Sequence, residues 1–312
     1  MLIVVQEHGD PTIEFSHGDE LHAFTFSANG EHLLTGGRHG VRVWQVEDGK
    51  QVATIPMQAS YAEYAQTLTV SPDGRWIAVG TSRGEVWMVD ARTYEKVVSY
   101  DMNSFGVGVC SLHFAPDSTR LVAATASEAS NWHGHVVWDI ATGKRAYAPT
   151  TNSFAFTVRY SPLGDRIVTV DFSSIELYDS NNGRLVLDIG SHWGSTSLLW
   201  RGNDHLLVAW QGKIQEINAS NGEISVEWPV SDGDTPLCIV TPTHGEFIAY
   251  SAKNTVVLWD TSTQTQLGYI QHPQDIRSME LSPDGHLLAI RGKNGKITIK
   301  NLSCVTVSIR RI

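Results

Sequence analysis

Cysteine is scarce in this sequence: three in 312 residues, Cys110, Cys238 and Cys304, with no Cys-x-x-Cys pair among them. An odd number of widely spaced thiols argues against a disulfide framework or a cysteine zinc site, and predicts free thiols in a reducing compartment. Basic charge is also short. Lys plus Arg number 23 against 33 for Asp plus Glu, a net charge of −10. At long range that charge repels a nucleic-acid backbone or an anionic lipid surface, and no basic run makes a local exception. Long apolar runs are missing too. The apolar start at Met1–Val5 meets Gln6, Glu7 and His8, too short for the apolar part of a secretory leader, and no segment reaches membrane-spanning length. HExxH, the GxSxG nucleophile elbow, the phosphate-cradling loop and the dinucleotide fingerprint are all absent, which removes the commonest catalytic signatures without excluding catalysis by other groups.

What the sequence does have is 41% apolar and 18% charged residues, an ordinary mixture with ample material for a core. Its length exceeds the usual single-core domain, leaving two domains or one repeat architecture. A recurring turn favours the repeat. An apolar residue followed by Ser-Pro-Asp-Gly stands complete at Ser71-Pro72-Asp73-Gly74 and Ser282-Pro283-Asp284-Gly285. Weaker copies are Ser27-Ala28-Asn29-Gly30, Ala115-Pro116-Asp117-Ser118, Ser161-Pro162-Leu163-Gly164, Arg201-Gly202-Asn203-Asp204 and Thr241-Pro242-Thr243-His244-Gly245. These anchors recur about every 40 to 46 residues, close to the period of a four-stranded blade. About 15 to 20 residues after each turn comes a β-rich stretch ending in an aromatic or apolar residue, often followed by Asp. Trp138-Asp139 and Trp259-Asp260 show the pair in full. Val89-Asp90 and Tyr178-Asp179 keep the Asp, Trp44-Gln45 keeps the Trp, and Ile217-Asn218 and Lys300-Asn301 are degenerate. Glycine follows in the turns at Asp48-Gly49, Thr142-Gly143, Asn182-Gly183 and Asn221-Gly222, as the positive φ of a tight hairpin requires.

With these motifs in register, the sequence resembles the WD40-repeat family over nearly all of its length. The resemblance implies an all-β fold: a closed seven-bladed β-propeller of four-stranded antiparallel blades, a single domain over residues 1–312. Blades are anchored near 21–55, 66–100, 109–149, 155–189, 196–228, 237–270 and 277–309, with inner strands such as Leu21–Phe26, Thr67–Val70 and Phe156–Tyr160. The family's Gly-His pair before the inner strand and its Asp before the third strand are mostly lost. The turns read Gly37-Arg38-His39-Gly40, Ser82-Arg83-Gly84, Ala252-Lys253-Asn254 and Gly292-Lys293-Asn294-Gly295. A sparse buried polar network is therefore expected, with blades held together by their apolar faces. In the family, the last blade usually takes its outer strand from the N-terminus. Thr12–Phe15 has the offset for that part, yet Cys304–Ile309 also alternates like a strand, and Leu2–Val5 with Thr12–Phe15 resembles a further strand pair.

Candidate functional residues form two groups. Trp44, Trp138 and Trp259 hold the repeat position and are expected in the core, and Trp76, Trp87, Trp200 and Trp210 fall in strands. Trp132 and His133 instead occupy the insertion Ser127–Gly134, and His192 and Trp193 a polar connection between an outer and an inner strand. Tyr61, Tyr64, Phe105 and Phe154 fall in equivalent connections. In the implied fold these loops share one face, where grouped aromatics suit protein or peptide recognition; the alternative is that each ring folds onto its own blade. The second group is His113, Arg159 and Glu280, placed on inner strands where they could converge on the axial channel or simply line it. His133-x-His135 has metal-like spacing without further ligands, and Asp232-Gly233-Asp234 reads as an acidic surface turn, so no metal or other cofactor is expected. The sequence thus reads as a non-catalytic protein- or peptide-binding scaffold, monomeric and cytoplasmic, without nucleic-acid or membrane partners. An enzyme or small-ligand binder using the channel, or the sensor module of a larger regulatory protein, are the alternatives.

Overall fold

A computed structural model describes residues 3–4, 13–17, 21–57, 63–102, 107–125, 134–148, 155–171, 174–190, 197–230, 238–242 and 247–302. Among them every regular element is a β-strand, and the strands form seven sheets of four antiparallel strands, one of which carries a fifth. The fold class is a seven-bladed β-propeller. By its contacts the chain divides into two compact units, one of residues 17–193 with 219–222, the other of residues 1–16, 194–218 and 223–312.

The first unit holds blades 1 to 4. Blade 1 runs through Leu21–Phe26, His32–Gly37, Gly40–Gln45 and Gln51–Pro56, and blade 2 through Ala65–Val70, Trp76–Thr81, Glu85–Asp90 and Lys96–Asp101. Blade 3 comprises Val109–Phe114, Arg120–Thr125, Gly134–Asp139 and Arg145–Tyr147. Blade 4 comprises Thr157–Tyr160, Arg166–Val170, Ile175–Asp179 and Leu185–Asp188. Second and third strands are buried on both faces, so they read as near-continuous small and β-branched runs rather than alternating ones. Outer strands show the opposite pattern: Lys96–Asp101 buries only Tyr100.

Sheets pack face to face through shared apolar clusters. Leu34, Val43 and Ile55 of blade 1 meet Leu68, Ile77 and Trp87 of blade 2. Met88 and Tyr100 meet Leu121 and Trp138 of blade 3, and Val122 and Val137 meet Val158 and Tyr178 of blade 4. Each fully buried aliphatic side chain contributes about 1.5–3 kcal/mol, so these faces dominate the stability. Packing is close enough to dictate glycine at position 80, where a Cβ would lie 2.5 Å from Thr67 Cγ2 and 2.8 Å from Val109 Cβ.

The recurring turn motif explains itself in atomic terms. Ser71 Oγ donates to Asp73 Oδ1 at 2.6 Å and accepts from Trp76 N at 2.9 Å, while Asp73 Oδ1 accepts from Arg75 N at 3.0 Å. Gly74 supplies φ 71°. The Asp of the Trp-Asp pair does a similar task one hairpin later: Asp139 Oδ1 accepts from Thr142 N and Oγ1, and Asp90 Oδ1 from Arg92 N and Thr93 N. Burial opposes ionisation of Asp73, but the bonds from Ser71 and Arg75 outweigh it and its pKa is lowered.

Polar contacts between blades are more numerous than the lost family positions suggest. Arg120 Nη1 donates to the Ser180 carbonyl at 2.9 Å, and Arg166 Nη1 to the Ala219 carbonyl at 3.2 Å. Inner strands are linked by side chains: Val158 N donates to Ser111 Oγ at 3.2 Å and Tyr160 N to His113 Nδ1 at 3.2 Å. In blade 1 Thr35 Oγ1 joins His17 Nδ1 and Trp44 Nε1, both at 2.8 Å, with His17 only 2% exposed. His17 stands in His-Gly order, so a search for Gly-His passes over it.

The second unit holds blades 5 to 7. Blade 5 runs through Ser197–Arg201, His205–Trp210, Lys213–Asn218 and Ile224–Pro229, and blade 6 through Ile239–Val240, Phe247–Ala252, Thr255–Asp260 and Thr265–Gln271. Blade 7 has Ile276–Leu281, Leu287–Gly292 and Lys296–Asn301, and takes Glu14–Ser16 as its fourth strand. Phe15 lies opposite Ile297 and is 1% exposed, and Glu14 meets Lys296 Nζ at 2.9 Å. The N-terminal strand expected near Thr12–Phe15 therefore forms, shifted by a residue or two, whereas Cys304–Ile309 lies outside the described residues. Ile3–Val4 pairs in parallel with Thr265–Gln271 as the fifth strand of blade 6. Clusters again join the blades, Ile214 and Trp228 meeting Tyr250 and Val257, and Phe247 and Leu258 meeting Met279 and Ile290. Arg201 forks onto Glu216 at 2.8 and 2.9 Å and reaches Thr261 Oγ1 at 3.0 Å.

Candidate functional site

Of the eight aromatic and histidine positions expected on the loops, Tyr64 alone falls among the described residues. Tyr61, Phe105, Trp132, His133, Phe154, His192 and Trp193 lie outside them. Tyr64 directly precedes the inner strand of blade 2, and its backbone is tied to the second hairpin of that blade, Ser82 N donating to Tyr64 O at 3.0 Å and Tyr64 N to Ser82 Oγ at 3.1 Å. The ring does not fold onto its own blade. It stacks on His22 of blade 1, ring centroids 4.0 Å apart and planes 21° from parallel, with both side chains half-buried.

A β-bulge places His22 there. In blade 1 the pairing of inner and second strands jumps from Leu21 to Ala23, and the same jump recurs at Ala65/Thr67, Val109/Ser111 and Ile276/Ser278. The skipped residues, His22, Gln66, Cys110 and Arg277, are the bulged ones, and a bulge re-aims its side chain. Gln66 repeats the move of His22 one blade further on: its Oε1 lies 1.8 Å from where a Cβ on Gly108 would be, so a side chain at position 108 would displace it. In blades 1 and 2 the start of the inner strand thus hands a polar side chain towards the following blade, at the end of the sheets that also carries the hairpins between second and third strands. The sequence carries a signal for these bulges. Leu21 and Phe24, Ala65 and Leu68, Val109 and Leu112, and Ile276 and Met279 are buried pairs three apart, not two, which alternation without a bulge does not give.

The inner-strand candidates separate by unit. His113 and Arg159 belong to the first, where His113 is half-buried and Arg159 exposed. Burial, reinforced by the positive charge of Arg159, pulls the His113 pKa down to about 3. Its ring is therefore neutral near pH 7, and because Nδ1 accepts from Tyr160 N the proton sits on Nε2. The residue ties blade 3 to blade 4 and offers neither a cation nor an available Nδ1 base. Glu280 belongs to the other unit, half-buried on Ile276–Leu281 opposite Ala289.

His135 lies deep within blade 3, 2% exposed, its ring edge-on to Tyr178 at 4.8 Å and Tyr147 at 6.2 Å. Among the described residues neither ring nitrogen has a hydrogen-bond partner, and burial holds its pKa down at about 3. Among the described residues no group of three His, Cys, Asp or Glu side chains is arranged to hold a metal ion, and no helix is long and apolar enough to cross a membrane. Cys110 and Cys238 form no disulfide among the described residues, and Cys304 lies outside them.

Comparison with known proteins agrees with this architecture. No family model matches the sequence. A WD repeat-containing protein SL1-17 of Schistosoma mansoni is 27% identical over 150 residues, 47% of this chain and 46% of that protein. Human WD repeat and SOCS box-containing protein 1 is 33% identical over 115 residues, 35% of this chain and 26% of that protein. The matched segments thus span less than half of either relative. WD repeat relatives and a seven-bladed propeller fold are together consistent with the WD40-repeat family, and in general terms they support a protein-interaction scaffold.

Proposed function

We propose that this chain is a non-catalytic scaffold that binds a protein or peptide at the loop-bearing end of its blades, as a cytoplasmic monomer without nucleic-acid or membrane partners. The observation that carries the reading is the Tyr64–His22 stack. A half-buried aromatic ring already held by a neighbouring ring loses little freedom when a partner covers it, which is the property of an interface anchor. The sequence adds Tyr61, Phe105, Trp132, His133, Phe154, His192 and Trp193 to the same class of connection. Against catalysis stands the state of His113, neutral and engaged with blade 4.

The test compares Tyr64→Ala, Trp132→Ala and Trp193→Ala with the parent for melting temperature and for binding to proteins captured from extract. Anchors are expected to lose about 2 kcal/mol or more of binding while stability changes by less than about 1 kcal/mol. Variants that melt several degrees lower would mark the rings as structural, and variants that melt and bind like the parent would move the interface elsewhere.

A further inference from the structure

The seven outer strands differ in how their free edges are protected. An exposed edge offers unpaired backbone groups to any extended chain, and folds blunt such edges with charge, with proline or by keeping the strand short. Lys96–Asp101, Arg145–Tyr147, Leu185–Asp188 and Glu14–Ser16 each carry a charged residue, Gln51–Pro56 ends in proline, and Ile224–Pro229 has both devices. Thr265–Gln271 of blade 6 has neither, and with seven residues it is the longest described strand. It is also the edge that takes a fifth strand. Ile3 pairs with Gly268 and Val4 with Tyr269, in parallel.

A glycine marks the middle of this acceptor edge. Each of blades 1 to 6 shifts register between its third and outer strands, and the outer-strand residue that follows the shift is Ala53, Val98, Tyr147, Leu187, Val226 and Gly268 in turn. Five blades make the irregularity with a side chain at that place, so the bulge does not require glycine at 268. Glycine inside a strand weakens it and often marks the close approach of another backbone. Here that backbone is Ile3. The added strand nevertheless uses little of the edge, two residues against seven. Strands commonly run to about five or six residues, and parallel pairing is the less stable kind, so a longer segment can outcompete the intramolecular one.

We infer that the outer edge of blade 6 is a docking site for an extended, uncharged segment of a partner protein, which adds to Thr265–Gln271 as a parallel strand in place of Ile3–Val4. Main-chain hydrogen bonds supply the affinity in this mode of recognition. The edge carries no charge to match on the partner, and a β-branched aliphatic sequence such as Ile3-Val4 is the chemistry it already accepts. The site shares no residue with the Tyr64–His22 stack and stands or falls independently of it.

In the observed register six residues centred on Ile3 and Val4 span Gln266–Gln271. The probe is a dye-labelled peptide with the sequence of residues 1–6, titrated into the full chain and followed by fluorescence anisotropy. Val4→Pro removes a backbone N–H and disfavours the intramolecular strand. It is expected to bind the peptide at least about ten-fold more tightly than the parent, because the edge no longer has to be vacated first. If Val4→Pro does not fold, Ile3→Ser with Val4→Ser carries the same expectation. Adding Gln266→Lys and Gln271→Lys puts charge on two exposed positions of the edge and is expected to weaken binding about ten-fold. A peptide with proline at its second and fourth positions is expected not to bind. The inference is overturned if no chain binds the peptide, if freeing the edge or charging it leaves the affinity unchanged, or if the proline peptide binds equally well, which would be apolar adsorption. Sedimentation velocity separates the other occupant: a parent dimer that Val4→Pro converts to monomer makes the edge a contact between two copies and overturns the partner reading.

Discussion

Arg120 and Tyr147, on different strands of blade 3, donate to the same acceptor, the Ser180 carbonyl of blade 4, each at 2.9 Å. Either donor alone keeps that carbonyl satisfied. Arg120→Met and Tyr147→Phe are therefore each expected to cost about 1 kcal/mol, while the double variant, which orphans a buried carbonyl, costs more than the sum. Urea unfolding of the four proteins measures the coupling. Strict additivity would mean that the carbonyl finds water in both single variants.

A second inter-blade contact is charged. Arg201 holds Glu216, whose side chain is only 7% exposed, and continues to Thr261 of blade 6. Removing the arginine leaves a buried carboxylate whose remaining basic neighbour among the described residues is His205, 3.9 Å away. Arg201→Met is expected to lose about 2–3 kcal/mol, and Arg201→Met with Glu216→Leu to recover most of it. A double variant no better than the single one would show that the contact to Thr261, and not the stranded charge, carries the effect.

Acid should unfold this protein partly through its histidines. His135 and His113 have folded pKa values near 3 because burial disfavours the charged ring, below the ordinary value near 6.5. The unfolded chain then binds the extra protons. Stability is complete above about pH 6.5 and falls as pH drops from there towards 3, by up to about 1.4 kcal/mol per pH unit for each histidine. His135→Phe, which keeps an aromatic ring against Tyr147 and Tyr178, is expected to flatten the slope of unfolding free energy between pH 6 and 4.5. An unchanged slope would place the titration elsewhere.

The N-terminal strand supplies a further check. Phe15 buries its whole side chain although Glu14–Ser16 is separated in sequence by about 280 residues from the strand it joins. Phe15→Ala is expected to cost about 3 kcal/mol, visible as a lower urea midpoint. A loss below about 1 kcal/mol would mean that blade 7 does not depend on this strand.

Particular residues show how far the sequence was legible. The turn at Ser71–Gly74 and the pair Trp138-Asp139 are local devices whose hydrogen bonds close within a few residues, so their spacing alone places the blades. The Arg120–Ser180 contact spans sixty positions and leaves no local pattern. His22 falls between these cases. The three-residue spacing of Leu21 and Phe24 marks its bulge, but that the bulge delivers the ring to Tyr64 depends on the approach of another blade. His113 shows the converse: its place on an inner strand was legible, while its engagement with Tyr160 N came only from packing.

The most direct test of the scaffold reading is photo-crosslinking at the Tyr64–His22 stack. A benzophenone amino acid is introduced at position 64 and, for comparison, at position 97, where Val97 is 58% exposed on an outer strand. Irradiation in extract is expected to give discrete protein adducts at position 64 and none of them at position 97. Adducts of equal yield at both positions, or at 97 alone, would contradict the assignment of the loop-bearing end as the binding surface.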